Sequence, residues 1–306
     1  MNMSKLFKQF LLVCTVVVGL QTEAAAQSPT PYGNEWIDYS KTYYKLKVVN
    51  TGLHRLSYGF LDSLGLAGTN PQHFQLFRRG KEVAIHVAGE SDGRLDTQDF
   101  VEFYGERNDG RLDQDLYKNP AHQPHQLYSL YTDTAAYFLT INPAGGKRMQ
   151  QVNPSAAGKT PEPYHLRKLT QFFVDLYYDG MVYGTPKAQL SWMDTGEGFS
   201  AASSASAKSY NFTSITNLVT SGPKPVVELN LIGPNGNTQT GVINVVPSTG
   251  GARQISTFLF PAYGHQHVKG QLEFTDILSD GRATMQVVPN TVQKSNVSMS
   301  NMRITF

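Results

Sequence analysis

The feature that most constrains this chain is an export signal followed by a sequence without cysteine. Residues 1–26 contain two lysines, the apolar run Phe10–Leu20 and three alanines before Gln27, which is the pattern of a secretory signal peptide cleaved after residue 26. The apolar run is too short to span a bilayer. Because the single cysteine, Cys14, lies within that run, we expect the exported protein to lack disulfides and thiol chemistry and to fold by core packing alone.

Composition narrows the fold class and the partners. Lys and Arg number 26 against 24 Asp and Glu in the whole chain. This near-neutral charge argues against nucleic acid and against broad attraction to anionic membranes. The 16 Tyr and 16 Phe, together with 27 Gly and 16 Pro, favour strands joined by turns. We therefore predict a mainly all-β, exported protein that resides in the periplasm, at the outer membrane or on the cell surface.

A compact N-terminal β-domain is predicted over residues 43–141, after a linker at 27–42. Apolar and lysine residues alternate over Tyr44–Val48, which predicts a half-buried strand. Residues Tyr58–Leu64 suit a short helix that ends at Gly65. Gly80 is expected in the turn of a hairpin that joins Phe74 and Leu76 to Val83, Ile85 and Val87.

A β-sandwich, of jelly-roll type, is predicted over residues 165–306, after a linker rich in Pro, Gly, Ala and Ser at 142–164. Residues 165–178 suit either a helix or a long strand. Because the sequence stops within the last predicted strand, we expect this domain to be truncated from a longer protein. The seven evenly spaced strands are Ser209–Ile215, Val226–Ile232, Val242–Val246, Ile255–Phe260, Val268–Phe274, Thr284–Val288 and Val297–Phe306.

Residues 88–116 form an acidic near-repeat. They contain nine acidic residues against three arginines, and Gly89–Asp96 is echoed by Gly105–Asp113. Each copy contains an Asp-Gly pair, which predicts a tight turn with a left-handed backbone.

The first copy resembles a calcium-binding loop. Glu90, Asp92, Asp96 and Asp99 fall at the third, fifth, ninth and twelfth positions of such a loop, but Ala88 occupies the first, where a carboxylate is expected. These four carboxylates are therefore the candidate calcium ligands. The alternative is a pair of acidic turns whose carboxylates are solvated, and this alternative is favoured.

Two histidine pairs are weaker metal candidates. His265 and His267 would share one face of a strand, and His122 and His125 flank Pro124 in a loop. No third ligand is evident for either pair, so solvated side chains are the favoured interpretation.

The sequence contains no recognisable catalytic motif. A serine-hydrolase elbow, a phosphate-binding loop, a dinucleotide-binding glycine pattern and a zinc-protease motif are all missing from it. Asp194-Thr195-Gly196 is interpreted as a turn rather than as an aspartic-protease loop. No residue is therefore assigned a catalytic role.

A series of motifs nevertheless resembles the N-terminal region of PorU-like proteins. These proteins are type IX secretion system sortases of Bacteroidota, related to gingipain cysteine peptidases. The resemblance covers most of residues 32–306 and is most specific over 77–134. The motifs are Tyr32-Gly-Asn-Glu-Trp-Ile37, Tyr43-Tyr-Lys-Leu-Lys47, Gly52-Leu-His-Arg-Leu56, Phe77-Arg-Arg-Gly-Lys-Glu82, Asp92-Gly93, Asp99-Phe-Val-Glu-Phe-Tyr-Gly-Glu106, Asn108-Asp-Gly110, Leu116-Tyr117, Tyr128-Ser-Leu-Tyr-Thr-Asp-Thr134, Tyr177-Tyr-Asp-Gly180, Leu190-Ser-Trp-Met-Asp-Thr-Gly-Glu-Gly-Phe199 and Met302-Arg-Ile-Thr-Phe306.

The resemblance implies a non-catalytic segment of an exported processing enzyme. The family's catalytic His and Cys belong to a peptidase domain that would begin after Phe306, so no catalytic residue can be carried over to this chain. The implied partners are the peptidase domain in cis and secretion cargo or translocon components, with outer-membrane association through those partners. The rival prediction is a secreted β-sandwich module that binds surface polysaccharide through exposed aromatic rings.

Overall fold

The computed structural model describes residues 33–181, 190–247 and 249–306. The predicted signal peptide, Cys14 and the first part of the 27–42 linker therefore lie outside the described residues. The fold is mainly antiparallel β-structure, as predicted, and none of the helices within these ranges is long and apolar enough to cross a membrane. The strands are β1 (Tyr44–Val48), β2 (Gly52–Ser57), β3 (Phe74–Arg78), β4 (Lys81–Val83), β5 (Ile85–Ala88), β6 (Phe100–Gly105), β7 (Ala135–Ile141), β8 (Lys168–Phe172), β9 (Leu176–Tyr178), β10 (Gly198–Ser200), β11 (Lys208–Phe212), β12 (Val226–Ile232), β13 (Gln239–Val246), β14 (Arg253–Phe260), β15 (His265–Gln271), β16 (Ala283–Pro289) and β17 (Ser298–Thr305). Within the described residues there is one α-helix, α1 (Tyr58–Ser63), and short 3₁₀ helices lie at Pro71–His73, Glu90–Asp92, Gly110–Leu116, Pro120–His122 and Phe274–Asp276.

The chain divides into two compact units that are not continuous in sequence. The first contains Gly52–Gly105 and Ala136–Gln150 with the residues up to Lys47, and the second contains Val48–Thr51, Glu106–Ala135 and Gln151–Phe306. The sequence analysis assigned residues 106–135 to the N-terminal domain. The structure groups them with the second unit, where Lys118 N donates to Met193 O at 3.1 Å and Tyr117 Oη donates to Glu197 O at 2.6 Å.

The first unit contains two sheets, ordered β1-β7-β3-β4 and β2-β6-β5. The predicted strand over Tyr44–Val48 is confirmed as β1, with Leu46 and Val48 buried. Helix α1 is capped at its N-terminus by Ser57, whose Oγ accepts from Phe60 N, and ends before Gly65, which has a φ of 76°.

The hairpin at Gly80 is confirmed only as far as Val83. Arg79 and Gly80 have φ values of 48° and 74°, which matches the left-handed pair of a two-residue hairpin turn between β3 and β4. The following strand β5 belongs to the other sheet and pairs with β6. The chain changes sheets because Ile85 N donates to Lys147 O at 3.0 Å and Ile85 O accepts from Met149 N at 2.8 Å.

The second unit contains an eight-stranded sandwich with the nested pairing of a jelly roll. Its sheets are ordered β15-β12-β17-β8 and β11-β16-β13-β14. The first strand pairs with the last (β8 with β17), the second with the seventh, the third with the sixth and the fourth with the fifth. Residues such as Phe212, Leu229, Val245, Phe258 and Met302 fill the core of the sandwich. Burial alternates along β16, as expected for a strand with one face on the core, whereas Ser298–Met302 of β17 are all buried.

Two parts of the predicted sandwich require correction. Residues 165–178, left open between helix and long strand, form two strands, β8 and β9, and β8 is the eighth strand that the sequence analysis missed. The strand predicted at Val268–Phe274 runs instead from His265 to Gln271. Its first three residues are polar and gave no hydrophobic signal, and Phe274 begins a 3₁₀ helix.

Candidate functional site

The acidic residues of the predicted calcium loop have partners within the first unit. Asp92 Oδ1 accepts from Arg94 N at 3.0 Å, and Asp99 Oδ2 accepts from Asp96 N at 2.8 Å. Glu90 Oε2 lies 2.8 Å from Arg148 Nε.

These carboxylates are not gathered around one point. Within residues 33–181, 190–247 and 249–306, no group of three or more His, Cys, Asp or Glu side chains is placed to hold a metal ion. Gly89 is needed here because its φ is 81° and because a Cβ on it would lie 1.7 Å from Asp99 Oδ1. The geometry suits an internally bonded acidic turn, and calcium binding by Glu90, Asp92, Asp96 and Asp99 stays a prediction.

The two copies of the acidic repeat differ in backbone structure. Gly93 has the predicted left-handed backbone, with a φ of 75°. The same prediction is wrong for Gly110, which begins a 3₁₀ helix after Asp109, whose Oδ1 accepts from Arg111 N at 3.2 Å. Gly110 is instead constrained by close packing, because a Cβ there would lie 2.8 Å from Tyr128 O.

The structure brings the two sequence-predicted histidine pairs toward each other in the second unit. His125 and His267 line the same cleft. Burial lowers the pKa of His265, and the nearby His122 lowers it further. Neither pair had a convincing third ligand in the sequence, and the structure shows that the pairs are neighbours because the loop before residue 127 crosses the sheet that contains β15.

That cleft is the candidate functional site. It has a volume of about 420 Å³ and lies on the solvent side of the sheet that contains β15, β12 and β17. Nine residues line it, from the 3₁₀ helix Gly110–Leu116, from the loop that ends at Leu127 and from the three strands. They are Arg111, His125, Gln126, Leu127, Glu228, Asn230, His267, Asn301 and Arg303.

Strand register arranges the polar side chains of the cleft in two rows. In the first row Glu228 of β12 lies opposite Lys269 of β15 and Arg303 of β17. In the second row Asn230 lies opposite His267 and Asn301. Residues two apart on a strand share a face, so both rows point to the same side of the sheet.

The first row surrounds one carboxylate with basic side chains. Glu228 Oε1 lies 2.9 Å from Lys269 Nζ and 3.8 Å from His267 Nε2, and its Oε2 lies 3.6 Å from Arg303 Nη1. The hydrogen bond from Lys269, aided by the charges around it, lowers the pKa of Glu228. Glu228 is therefore ionised at neutral pH.

The second row attaches the loop to the sheet. Asn230 Nδ2 donates to Asn301 Oδ1 at 2.7 Å and to Pro124 O at 2.9 Å. Beside it His125 Nδ1 accepts from Leu127 N at 3.1 Å, and burial lowers the pKa of His125 to about 4. His125 is therefore a neutral imidazole at pH 7.

Of the strand residues in this site, only His267 was a candidate from the sequence, and Glu228, Asn230, Asn301 and Arg303 were not predicted. The only available signal was the polar Glu228 and Asn230 within the apolar strand Val226–Ile232, which indicates one solvent-facing side. Their partners on β15 and β17 are 37 to 75 residues away in sequence, and only strand register places them together.

Comparisons with known proteins show a similar fold in one solved structure. The crystal structure of dimeric latent PorU from Porphyromonas gingivalis matches 86% of this chain with a TM-score of 0.53 and 13% sequence identity. The chain spans about a quarter of PorU, since the match covers 24% of that protein. A carbohydrate-binding module, CBM35 from Cellvibrio japonicus Abf62, matches 45% of this chain and 92% of its own, with a TM-score of 0.26 and 12% identity. No protein-family model and no curated protein matches this sequence.

Proposed function

We propose that this chain is a non-catalytic β-rich region of a PorU-like type IX secretion sortase. The observation that carries the proposal is the PorU-like fold over 86% of the chain. The ordered motifs between Tyr32 and Phe306 point to the same family. At 13% identity the likeness concerns the fold, so the activity and partners of the whole protein are part of the proposal.

In this proposal the segment supports a peptidase domain or presents cargo or translocon components to it. The sandwich offers a rigid support, because each of its eight strands is paired in a four-stranded sheet. Export by the predicted signal peptide would bring the protein to the periplasm, the outer membrane or the cell surface. Association with the outer membrane would then occur through its partners.

The coding sequence downstream of the Phe306 codon tests the proposal. We expect an in-frame continuation that encodes a gingipain-type catalytic His and Cys. A stop codon directly after Phe306 would contradict a fused sortase.

The rival prediction, polysaccharide binding through exposed aromatic rings, finds limited support in the tryptophans. Trp36 lies within 5.6 Å of the rings of Tyr43, Phe77 and Phe138, centroid to centroid. Trp192 is 40% exposed, but Lys118 Nζ lies 5.2 Å from its ring centre. Packing and a cation–π contact therefore already use both rings.

A further inference from the structure

We propose that the cleft on the β15-β12-β17 face binds a carboxylated sugar, a uronic acid unit, through Arg303 and Asn301. This inference goes beyond the sortase proposal and does not depend on it. It concerns a ligand site within the second unit, whereas the sortase proposal concerns what the whole protein does.

The charges of the cleft favour one anionic group. Two strand-borne cations, Lys269 and Arg303, face the single carboxylate of Glu228. The Arg303 Nη1 is 3.6 Å from Glu228 Oε2, which is longer than a hydrogen bond. Arg303 Nε donates to Thr170 Oγ1 at 3.3 Å, so the guanidinium keeps the donors of its two terminal nitrogens, which suit a carboxylate in two-point contact.

The opposite wall supplies a second arginine that is already balanced. Arg111 Nε donates to Asp109 Oδ2 at 2.7 Å, and Arg111 Nη2 lies 3.8 Å from Glu106 Oε2. Arg111 thus adds hydrogen-bond donors to the wall but, with these two carboxylates beside it, no positive charge. On the strand side of the cleft, Lys269 and Arg303 against Glu228 leave an excess of about one positive charge, which matches a monoanion better than a phosphate dianion.

The second row suits hydroxyl groups. Asn230 uses both of its amide hydrogens, one on Asn301 and one on Pro124. The pair therefore offers a ligand the carbonyl Oδ1 of Asn230 and the Nδ2 donors of Asn301. The second row therefore presents an acceptor beside donors, and the His267 ring lies in the same row. Sugar hydroxyl groups can bond to both kinds of group because they both donate and accept hydrogen bonds.

The lining explains why a sugar fits better than an acidic peptide. Leu127 is the single aliphatic side chain among the nine lining residues, so apolar peptide side chains would find little surface to bury against. The volume of about 420 Å³ lies within the usual range of small-molecule sites. Most of the polar groups project from paired strands, which hold them in fixed positions before the ligand arrives.

Calorimetric titration of the chain from Gln27 with glucuronate tests the proposal, with glucose and acetate as the matched half-ligands. We expect glucuronate to bind at least tenfold more tightly than either half-ligand, and more weakly as salt is raised. Arg303→Gln should weaken glucuronate binding about tenfold or more. Arg282→Gln, an exposed arginine paired with Asp280 outside the cleft, should leave it unchanged.

A variant that is expected to strengthen glucuronate binding distinguishes the loss of a ligand contact from misfolding. Glu228→Gln removes the one negative charge of the first row while keeping its shape, so it should tighten glucuronate binding severalfold. General damage to the cleft would weaken binding instead. The proposal is overturned if glucuronate gives no binding at millimolar concentration, if glucose or acetate binds equally well, if an acidic peptide binds better, or if Arg303→Gln and Arg282→Gln behave alike.

Discussion

The predicted calcium loop of the first unit and the polar cleft of the second unit differ in how sequence relates to structure. The residues of the loop are close in sequence but do not converge on one point, whereas the residues of the cleft are far apart in sequence and lie together. Glu90, Asp92, Asp96 and Asp99 are close in sequence, yet Asp92 and Asp99 accept from neighbouring backbone amides and Glu90 pairs with Arg148. Glu228 and Arg303 are far apart in sequence and lie side by side on adjacent strands. Closeness in sequence therefore supplies partners for a local turn, whereas strand register assembles a shared surface.

The largest expected effect concerns the core beneath the cleft. Leu229 lies between the two rows on β12 and is fully buried. Leu229→Ala should lower the free energy of unfolding of the second unit by about 3 kcal/mol, through lost burial and a residual cavity. Urea denaturation measures this change. Leu259→Ala on β14, where the leucine is 66% exposed, is the control, and an equal loss for both variants would contradict the sandwich core described here.

The second largest expected effect is that of acidification on the stability of the second unit, which contains His125. The folded pKa of His125 is about 4, below its unfolded value of about 6.5. The unfolded chain therefore binds the proton more readily, and the stability that neutral His125 provides above pH 6.5 is lost as the pH falls toward 4. We expect a loss on the order of 2–3 kcal/mol from this group.

Denaturation curves at pH 7 and pH 4.5 measure that loss. His125→Gln should reduce the pH dependence, and His86→Gln, at an exposed histidine of β5, should preserve it. The same pH dependence in all three proteins would show that His125 is not the responsible group.

Substitution of Arg148 tests whether contacts within the first unit stabilise the predicted calcium loop. Its guanidinium contacts Glu90 and also donates to Phe74 O at 3.0 Å and to Gln72 O at 2.8 Å. Arg148→Ala should lower the stability of the first unit by about 2 kcal/mol, because half-buried acceptors lose charge-assisted bonds. Hydrogen exchange of β3 amides would report the loss, and Arg94→Ala, at an exposed arginine of the same loop, should have little effect.

The smallest expected effect is that of calcium. Since Glu90, Asp92 and Asp99 have partners and the four carboxylates do not converge, we expect the melting temperature to shift by less than about 1 °C between millimolar calcium and chelator. The double variant Asp92→Asn/Asp96→Asn is the comparison. A melting temperature that rises with calcium concentration in the wild type alone would instead establish the site predicted from the sequence.

The sequence predicted those strands and helices whose bounds are set by residues within the element or next to it. The strand Val226–Ile232 matches β12 in both bounds, and α1 ends at Gly65 as its glycine indicated. Strand β8 was ambiguous because it lies at a sheet edge and exposes Lys168 and Thr170, so its apolar alternation is weak.

Features that depend on contacts between residues distant in sequence could not be predicted from the sequence. The prediction of a left-handed turn at Asp109-Gly110 was wrong because Asp109 caps a 3₁₀ helix, and Gly110 packs closely against Tyr128 O, a contact between residues distant in sequence. The two rows of the cleft depend on register among β12, β15 and β17, and no single strand specifies its neighbours.

Binding between this chain and a separately expressed PorU-like peptidase domain tests the central proposal most directly. The chain from Gln27 and the peptidase domain that the proposal expects downstream of it would be mixed and analysed by sedimentation velocity and calorimetry. We expect a one-to-one complex with micromolar or tighter affinity, and no complex with an unrelated cysteine peptidase. Two species that sediment independently at concentrations of about 100 µM would contradict the view that this segment packs against and supports a sortase.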